Sequence, residues 1–177
     1  MSEFKEMCLR RQTCREFTDA PVEHEKLVAI VDAARLAPSG CNSQPWSFIV
    51  AEKKDTVKQV AECVAQMGMN PYAAQCQAFV VVVEEPATLM PKISCLIDNQ
   101  YFAKGDVGAA VVYISFEAAS QGLGACQFGI FDREKMRTIL GIPKEKQINA
   151  LVGIGYPAKP EIRQKQRKSL DEVARFA

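Results

Sequence analysis

Residues 78–84, AFVVVVE, are an unbroken run of apolar and mostly β-branched positions with no polar alternation. That pattern predicts a central strand covered on both faces. Around it the apolar period changes. Leu27, Ile30, Val31, Ala34 and Leu36 recur at helical spacing within 23–37, with Glu23 and Glu25 near the start and Pro38 as the stop. Val57, Val60, Ala61 and Val64 repeat that spacing from Thr56 to Met67, with Asp55 as the expected cap. Residues 3–10 predict a short amphipathic helix capped by Ser2, with Phe4, Met7 and Cys8 on one side. Ser47–Ala51 and Asn149–Tyr156 read as further strands, and Asp132 caps a helix to Leu140 that Gly141 and Pro143 end.

From Asp106 to Gln121 the chain is nearly all apolar around the helical circumference, which predicts a helix buried on every side, in the domain or at a subunit interface. Gly122-Leu123-Gly124 stops it, and 125–131 reads as a short, irregular strand, so that the order is helices, strand, helix, strand, long helix, strand, helix, strand, tail. Residues 85–105 mix Pro86 and Pro91 with isolated apolar positions. A loop of that length inside a compact domain is expected to act as a lid or binding element. The sum is one domain, residues 1–177, of three layers with helices packed on a sheet of four or five strands.

Composition narrows the function. Hydrophobic residues at 48% supply a core, and 22 basic against 21 acidic residues leave a net charge of +1, with no global attraction to nucleic acid. No apolar run approaches the ~18 residues of a membrane span, and no signal-peptide core opens the chain. Seven cysteines stand singly, at 8, 14, 41, 63, 76, 95 and 126. They form no CxxC, and with His24 as the sole histidine they give no zinc spacing, so no metal is expected. An odd set of scattered thiols fits a reducing cytoplasm. One histidine at a helix start also leaves no Ser-His-Asp set.

Charge is concentrated locally. Arg11, Thr13 and Arg15 alternate in a segment read as extended, which projects them to one side. Two guanidiniums flanking a hydroxyl suit phosphate oxygens, although a solvated basic turn has the same composition. Arg163, Lys165, Arg167 and Lys168 form a second cluster in the tail, and one phosphate monoester could engage both. There is no Walker loop, and Gly122-Leu123-Gly124 is not a dinucleotide fingerprint because it follows a helix. Between the predicted first strand and the helix before it lies Pro38-Ser39-Gly40-Cys41-Asn42-Ser43-Gln44-Pro45-Trp46. Gly40 permits close approach of a flat ligand, and Asn42 and Gln44 offer amide donors and acceptors to a heterocycle edge.

Taken in order, these motifs resemble a known family. An R-x-(S/T)-x-(R/K)-x-F segment (Arg11, Thr13, Arg15, Phe17) precedes a helix ending A-P-S-G-x-N-S-Q-P-W and then F-I-V. D-x-G-x-A, G-L-G-x-C, G-I-F-D, a strand ending G-Y-P and a K-x-R tail follow. The chain is similar to the FMN-dependent nitroreductases, in a short form. The resemblance implies an α+β sandwich with a mixed central sheet and an interlocked homodimer with FMN at the interface. The tail would be exchanged between subunits. It implies an NADH- or NADPH-driven, ping-pong reduction of nitroaromatics, quinones or related electrophiles. The alternatives are a dehalogenase, heterocycle oxidase or flavin-fragmenting relative, or a flavin-binding protein without turnover.

Residue by residue, Arg11 and Thr13 resemble the FMN phosphate ligands, with Lys165 and Arg167 as a second clamp. Arg15 resembles the cation beside the flavin pyrimidine. Pro38, Ser39, Gly40 and Asn42, with Gln44 nearby, resemble the loop laid on the flavin from the partner. The turn Gln127-Phe128-Gly129 resembles the segment that presents a backbone N–H to the flavin. Cys41, Tyr101 and Phe102 are the expected substrate-side residues, and Asn70 is the sole candidate for the family's further ring contacts. The chemistry belongs to the flavin, so no side chain is expected to act as nucleophile or general base.

Overall fold

A computed structural model describes every residue except Cys95, Pro160 and the side chain of Met67. The Cys95 thiol within the 85–105 segment and Pro160 in the tail therefore lie outside the described residues. The α-helices are α1 (Glu3–Arg10), α2 (His24–Ala34), α3 (Lys54–Val64), α4 (Pro91–Ser94), α5 (Asn99–Ser120), α6 (Arg133–Leu140) and α7 (Leu170–Val173). The strands are β1 (Trp46–Ala51), β2 (Ala78–Glu84), β3 (Gly124–Phe128) and β4 (Gln147–Gly155).

The strands pair in the order β1-β2-β4-β3, antiparallel throughout. The expected mixed sheet is thus an antiparallel one, and the parallel bridge Thr13–Ala125 is an isolated pairing beside it. β2 lies inside the sheet and every residue of it is buried, as its unbroken apolar run predicts. Alternate β2 side chains enter two separate cores. Phe79, Val81 and Val83 join Val60, Val64 and Met136 from α3 and α6. Ala78, Val80 and Val82 join Leu27, Ile30, Val107 and Ile114 from α2 and α5. The result is the α+β, three-layer arrangement that the periodicity predicts.

Several boundaries differ from expectation, each for a local reason. α2 ends at Ala34, not Ala37, because the residue before Pro38 is disfavoured in the helical region. Leu36 is consequently 62% exposed rather than buried. Lys53, not Asp55, occupies the N-cap position of α3, and Asp55 sits in the first turn where its charge favours the helix end. α3 stops at Val64, and a 3-10 turn at Gln66–Gly68 follows. α5 begins at Asn99, not Asp106, because the Asp98 carboxylate accepts the Gln100 N–H at 3.0 Å. The later part of the 85–105 segment is therefore helical, with α4 also inside it.

α5 is not buried all round within the single chain. Ala103, Val107, Ala110, Val111, Ile114 and Ala118 face the core, while Val112 and Tyr113 are exposed. The short, irregular strand expected at 125–131 is β3, a regular strand that starts one residue earlier, at Gly124. Gly124 makes that strand possible: a Cβ there would lie 2.6 Å from Cys14 Cβ, so only glycine lets the N-terminal segment pack so closely.

Candidate functional site

The segment after α1 is held in extended form by its neighbours. Cys14 N–H donates to the Ala125 carbonyl at 2.9 Å and Thr18 N–H to the Tyr156 carbonyl at 2.9 Å. Phe17 N–H donates to Gln75 Oε1 at 3.0 Å, and the Phe17 ring is buried. With Phe17 anchored and Cys14 packed on Gly124, Arg11, Thr13 and Arg15 line an open groove of about 470 Å³. The opposite wall is the tail, through Arg163, Lys165 and Arg167. The two basic clusters, 150 residues apart in sequence, thus meet; Lys168 does not line the groove.

The groove holds five cations and no carboxylate. Seven salt bridges occur among the described residues, and none uses a groove cation. Their side-chain hydrogen bonds go to main-chain oxygens or to Gln12 Oε1. Lys165 Nζ donates to the Arg11 carbonyl at 2.5 Å, Arg167 Nη1 to the Gln166 carbonyl at 2.6 Å, and Arg163 Nη2 to the Thr13 carbonyl. Partial burial, with Arg11, Arg167 and Arg163 close by, holds the Lys165 ammonium below the usual lysine range.

Gln12 was not anticipated as a site residue, and Arg163, expected only as a member of the second basic cluster, has a further role. Gln12 stitches the walls together: its Oε1 accepts Arg163 N–H at 3.1 Å and its Nε2 donates to the Glu161 carbonyl at 2.9 Å. Arg163 clamps the Thr13 backbone, and the alternation Arg163, Lys165, Arg167 was its available sequence signal. Beside the groove, the Arg15 guanidinium lies 5.8 Å from the Tyr72 ring centroid, and the Tyr72 hydroxyl donates to Asn70 Oδ1 at 2.8 Å. Asn70 is left-handed, with φ 50°.

Gln127 and Phe128 are the last residues of β3 rather than a turn, and Gly129 alone follows the strand. The Phe128 side chain is 2% exposed and stacks on Tyr72 at 5.8 Å, so it belongs to the core. Gln127 and Gly129 are exposed.

The 38–46 loop stands elsewhere. Cys41, Asn42 and Gln44 all take left-handed angles, with φ 53°, 52° and 48°. Such angles are uncommon outside glycine and mark a segment fixed by its surroundings. Ser39 Oγ accepts Gln44 N–H at 2.9 Å, Gln44 Nε2 donates to the Asn42 carbonyl at 3.1 Å, and Ser43 Oγ accepts Thr88 N–H at 2.7 Å. Asp106 is no helix cap; its carboxylate accepts Gly40 N–H at 3.1 Å and ties the loop to the first half of α5. Pro38, Cys41, Asn42 and Gln44 are exposed, while Pro45 and Trp46 anchor the exit. Tyr101, 73% exposed, and Phe102, 39% exposed, stand edge to face at 5.9 Å on α5 and are not core residues. Phe102 Cβ lies 3.9 Å from an ideal Cβ at Gly40.

The groove lies toward the other end of the same helix. Arg10 Nη2 donates to the Ala119 carbonyl at 3.4 Å, and Phe4 stacks on Phe116. From Asp106 to Ala119 a helix rises ~20 Å at ~1.5 Å per residue. The single chain therefore does not bring the loop and the groove together. Among the described residues, no group of His, Cys, Asp and Glu could hold a metal ion, and no helix is long and apolar enough to cross a membrane.

Comparison with known proteins now adds to this geometry. The Nitroreductase family model matches residues 9–156. An Archaeoglobus fulgidus protein, provisionally named NADH dehydrogenase/NAD(P)H nitroreductase, is 32% identical over 161 residues, covering 89% of this chain and 87% of its own. The Bacillus subtilis FMN reductase (NAD(P)H) is 26% identical, covering 89% of this chain and 67% of its own. A Nematostella vectensis iodotyrosine deiodinase is 26% identical, covering 97% and 74%. Among solved structures, a Streptococcus pneumoniae nitroreductase family protein superposes with TM-score 0.85 at 19% identity, over 99% of this chain and 100% of its own. This chain therefore belongs to the nitroreductase family of oxidoreductases.

Proposed function

We propose that the protein binds FMN and uses NADH or NADPH to reduce nitroaromatics, quinones or related electrophiles by a ping-pong reaction. One observation carries this reading: five cations converge on one groove without a carboxylate among them. Such a groove favours a dianionic phosphate monoester, and the fork geometry of arginine suits its oxygens. Arg11, Thr13, Lys165 and Arg167, joined by Arg163, would hold the phosphate. Names among relatives and neighbours support the choice of cofactor: the FMN reductase of Bacillus subtilis and an FMN-dependent nitroreductase of Clostridium difficile, TM-score 0.74.

Bound FMN would supply the redox chemistry that links a nicotinamide donor to the electrophile. The chain supplies position and electrostatics. Arg15 places a fixed cation where negative charge grows on reduction, the form of stabilisation that contributes most in a preorganised site. Gln127 and Gly129 flank the backbone expected to meet the ring. Pro38, Ser39, Gly40, Asn42 and Gln44 would cover the ring from a second protomer, since within one protomer they stand at the far end of α5 from the groove. Cys41, Tyr101 and Phe102 would then line the substrate side.

The direct test is anaerobic titration of FMN-loaded protein with NADH or NADPH, then stopped-flow reoxidation by quinones, nitroaromatics and haloaromatics. Bleaching of the oxidised flavin and fast return with at least one oxidant class are expected. Protein that takes up no FMN, or holds it without reduction by either nucleotide, would sink the reading. Reoxidation by haloaromatics alone would point to dehalogenation, the activity named for the deiodinase relatives.

A further inference from the structure

Tyr72 sits in the 3-10 turn Pro71–Gln75, on the edge of the α3 core, and no sequence motif singled it out. Three separate contacts meet on it. Its ring stacks on Phe128 with centroids 5.8 Å apart and planes 26° from parallel. The Arg15 guanidinium carbon lies 5.8 Å from the centroid of the same ring. Its hydroxyl donates to Asn70 Oδ1 at 2.8 Å.

Each contact constrains a group beside the basic groove. Arg15 forms none of the salt bridges among the described residues, so the π-face of Tyr72 supplies the attraction that no carboxylate does. Phe128, fully packed, prevents the ring from swinging away. The hydroxyl occupies the carbonyl end of the Asn70 amide, which leaves both amide N–H groups to serve another partner. Asn70 meanwhile holds a left-handed backbone ahead of Pro71, a conformation a local hydrogen bond helps to fix. Cys126 adds to the cluster: burial pushes its thiol up, while the nearby Arg15 guanidinium pulls the other way.

We propose that Tyr72 is a positioning residue, its ring setting the Arg15 guanidinium and its hydroxyl setting the Asn70 amide toward bound FMN. The proposal rests on the FMN reading given above. A cation fixed near the flavin favours the reduced, more negative form, so loosening Arg15 makes reduction harder. Asn70 is neutral and bears on affinity more than on potential.

The experiment compares wild type, Tyr72→Phe and Tyr72→Leu after removal and readdition of FMN. FMN affinity is read by fluorescence quenching and the midpoint potential by equilibration with a reference dye. Tyr72→Phe keeps the ring and its packing on Phe128; it is expected to leave the potential in place and weaken FMN binding about fivefold. Tyr72→Leu is expected to cut the preference for reduced over oxidised FMN about tenfold, a drop of about 30 mV for a two-electron couple. In an Arg15→Gln background the same Leu substitution should produce no further drop. An unchanged potential in Tyr72→Leu, or an equal drop with and without Arg15, overturns the positioning role while leaving the FMN reading intact. Unchanged FMN affinity in Tyr72→Phe overturns the Asn70 half, which this variant tests even where Tyr72→Leu folds poorly. Wild-type protein that binds no FMN overturns both readings together.

Discussion

At one end of α5 a groove gathers Arg11, Arg15, Arg163, Lys165 and Arg167, whose side-chain hydrogen bonds end on main-chain oxygens or on Gln12. Toward the other end, the 39–44 loop carries no charge and spends its polar groups on itself, on Thr88 and on Asp106. The groove concentrates uncompensated charge on extended backbone, whereas the loop holds three non-glycine residues at positive φ. A charged site of the first kind recognises an anion and little else. A stiff uncharged loop of the second kind recognises shape and hydrogen-bond pattern. A nucleotide-like ligand needs both, and in the single chain they are a helix apart.

The sharpest way to break this contrast is to disable the groove alone. Arg11→Ala combined with Arg167→Ala removes two cations that have no carboxylate partner, so neither change leaves a buried charge unpaired. A charge-assisted hydrogen bond contributes about 1.5–3 kcal/mol, so FMN affinity should fall about 10²-fold or more while thermal unfolding hardly moves. FMN titration beside a melting curve checks both. Undiminished affinity would mean that the groove does not hold the phosphate.

How much of this contrast could be read from the chain depends on the range of the forces involved. Arg11, Thr13 and Arg15 were legible because alternation on extended backbone is a local rule, and β2 because a doubly covered strand needs unbroken apolar residues. α5 was placed seven residues late because its first turns follow prolines and mixed residues, and only the Asp98 cap reveals the start. β3 was legible only as a short irregular strand between two helices, because GACQF has neither alternation nor a β-branched run. It becomes a strand by pairing with β4 and by admitting Cys14 against Gly124, and both are long-range events. Tyr72 stayed hidden for the same reason: its partners Arg15 and Phe128 are distant in sequence. The one local hint was Asn70-Pro71 just before it, a turn signal.

The separation of the two regions makes a second, more specific prediction. If a second copy supplies the loop, co-expression of a groove variant (Arg11→Ala/Arg167→Ala) with a loop variant (Gly40→Ala/Asn42→Ala) should rescue sites that neither variant has alone. A Cβ at Gly40 would meet Leu89, Asp106 and Phe102 no closer than 3.7 Å, an ordinary contact, so the loop variant should fold. Each hybrid dimer contains one intact groove facing one intact loop, so random pairing restores about a quarter of all sites in a symmetric two-fold assembly. Differently tagged chains, purified as hybrids and assayed for bound FMN, make the measurement. Hybrids no better than their parents would place loop and groove in one chain, against their separation along α5.

The smallest expected effect concerns pH and belongs to the groove alone, since the loop carries no titratable group besides the Cys41 thiol. Lys165 has its folded pKa held below the usual lysine value by partial burial and by Arg11, Arg167 and Arg163. A group depressed in this way gives up its proton on the folded protein before it does on the unfolded chain. Its charge therefore opposes folding at neutral pH, and that opposition is relieved as pH rises through the folded pKa. Phosphate binding works in the reverse direction, because an anion in the groove favours the protonated ammonium and lifts its pKa. FMN binding should thus take up a fraction of a proton at alkaline pH, and affinity should decline a few-fold as pH passes the free-protein value of Lys165. Apo-protein stability should rise slightly over the same interval. The two trends have opposite signs, which separates Lys165 from general alkaline unfolding, where both would fall. Lys165→Met should bind FMN more weakly at neutral pH and lose both slopes. Isothermal titration in two buffers of different ionisation enthalpy reads the proton directly, and an uptake that persists in Lys165→Met would assign the titration to some other group.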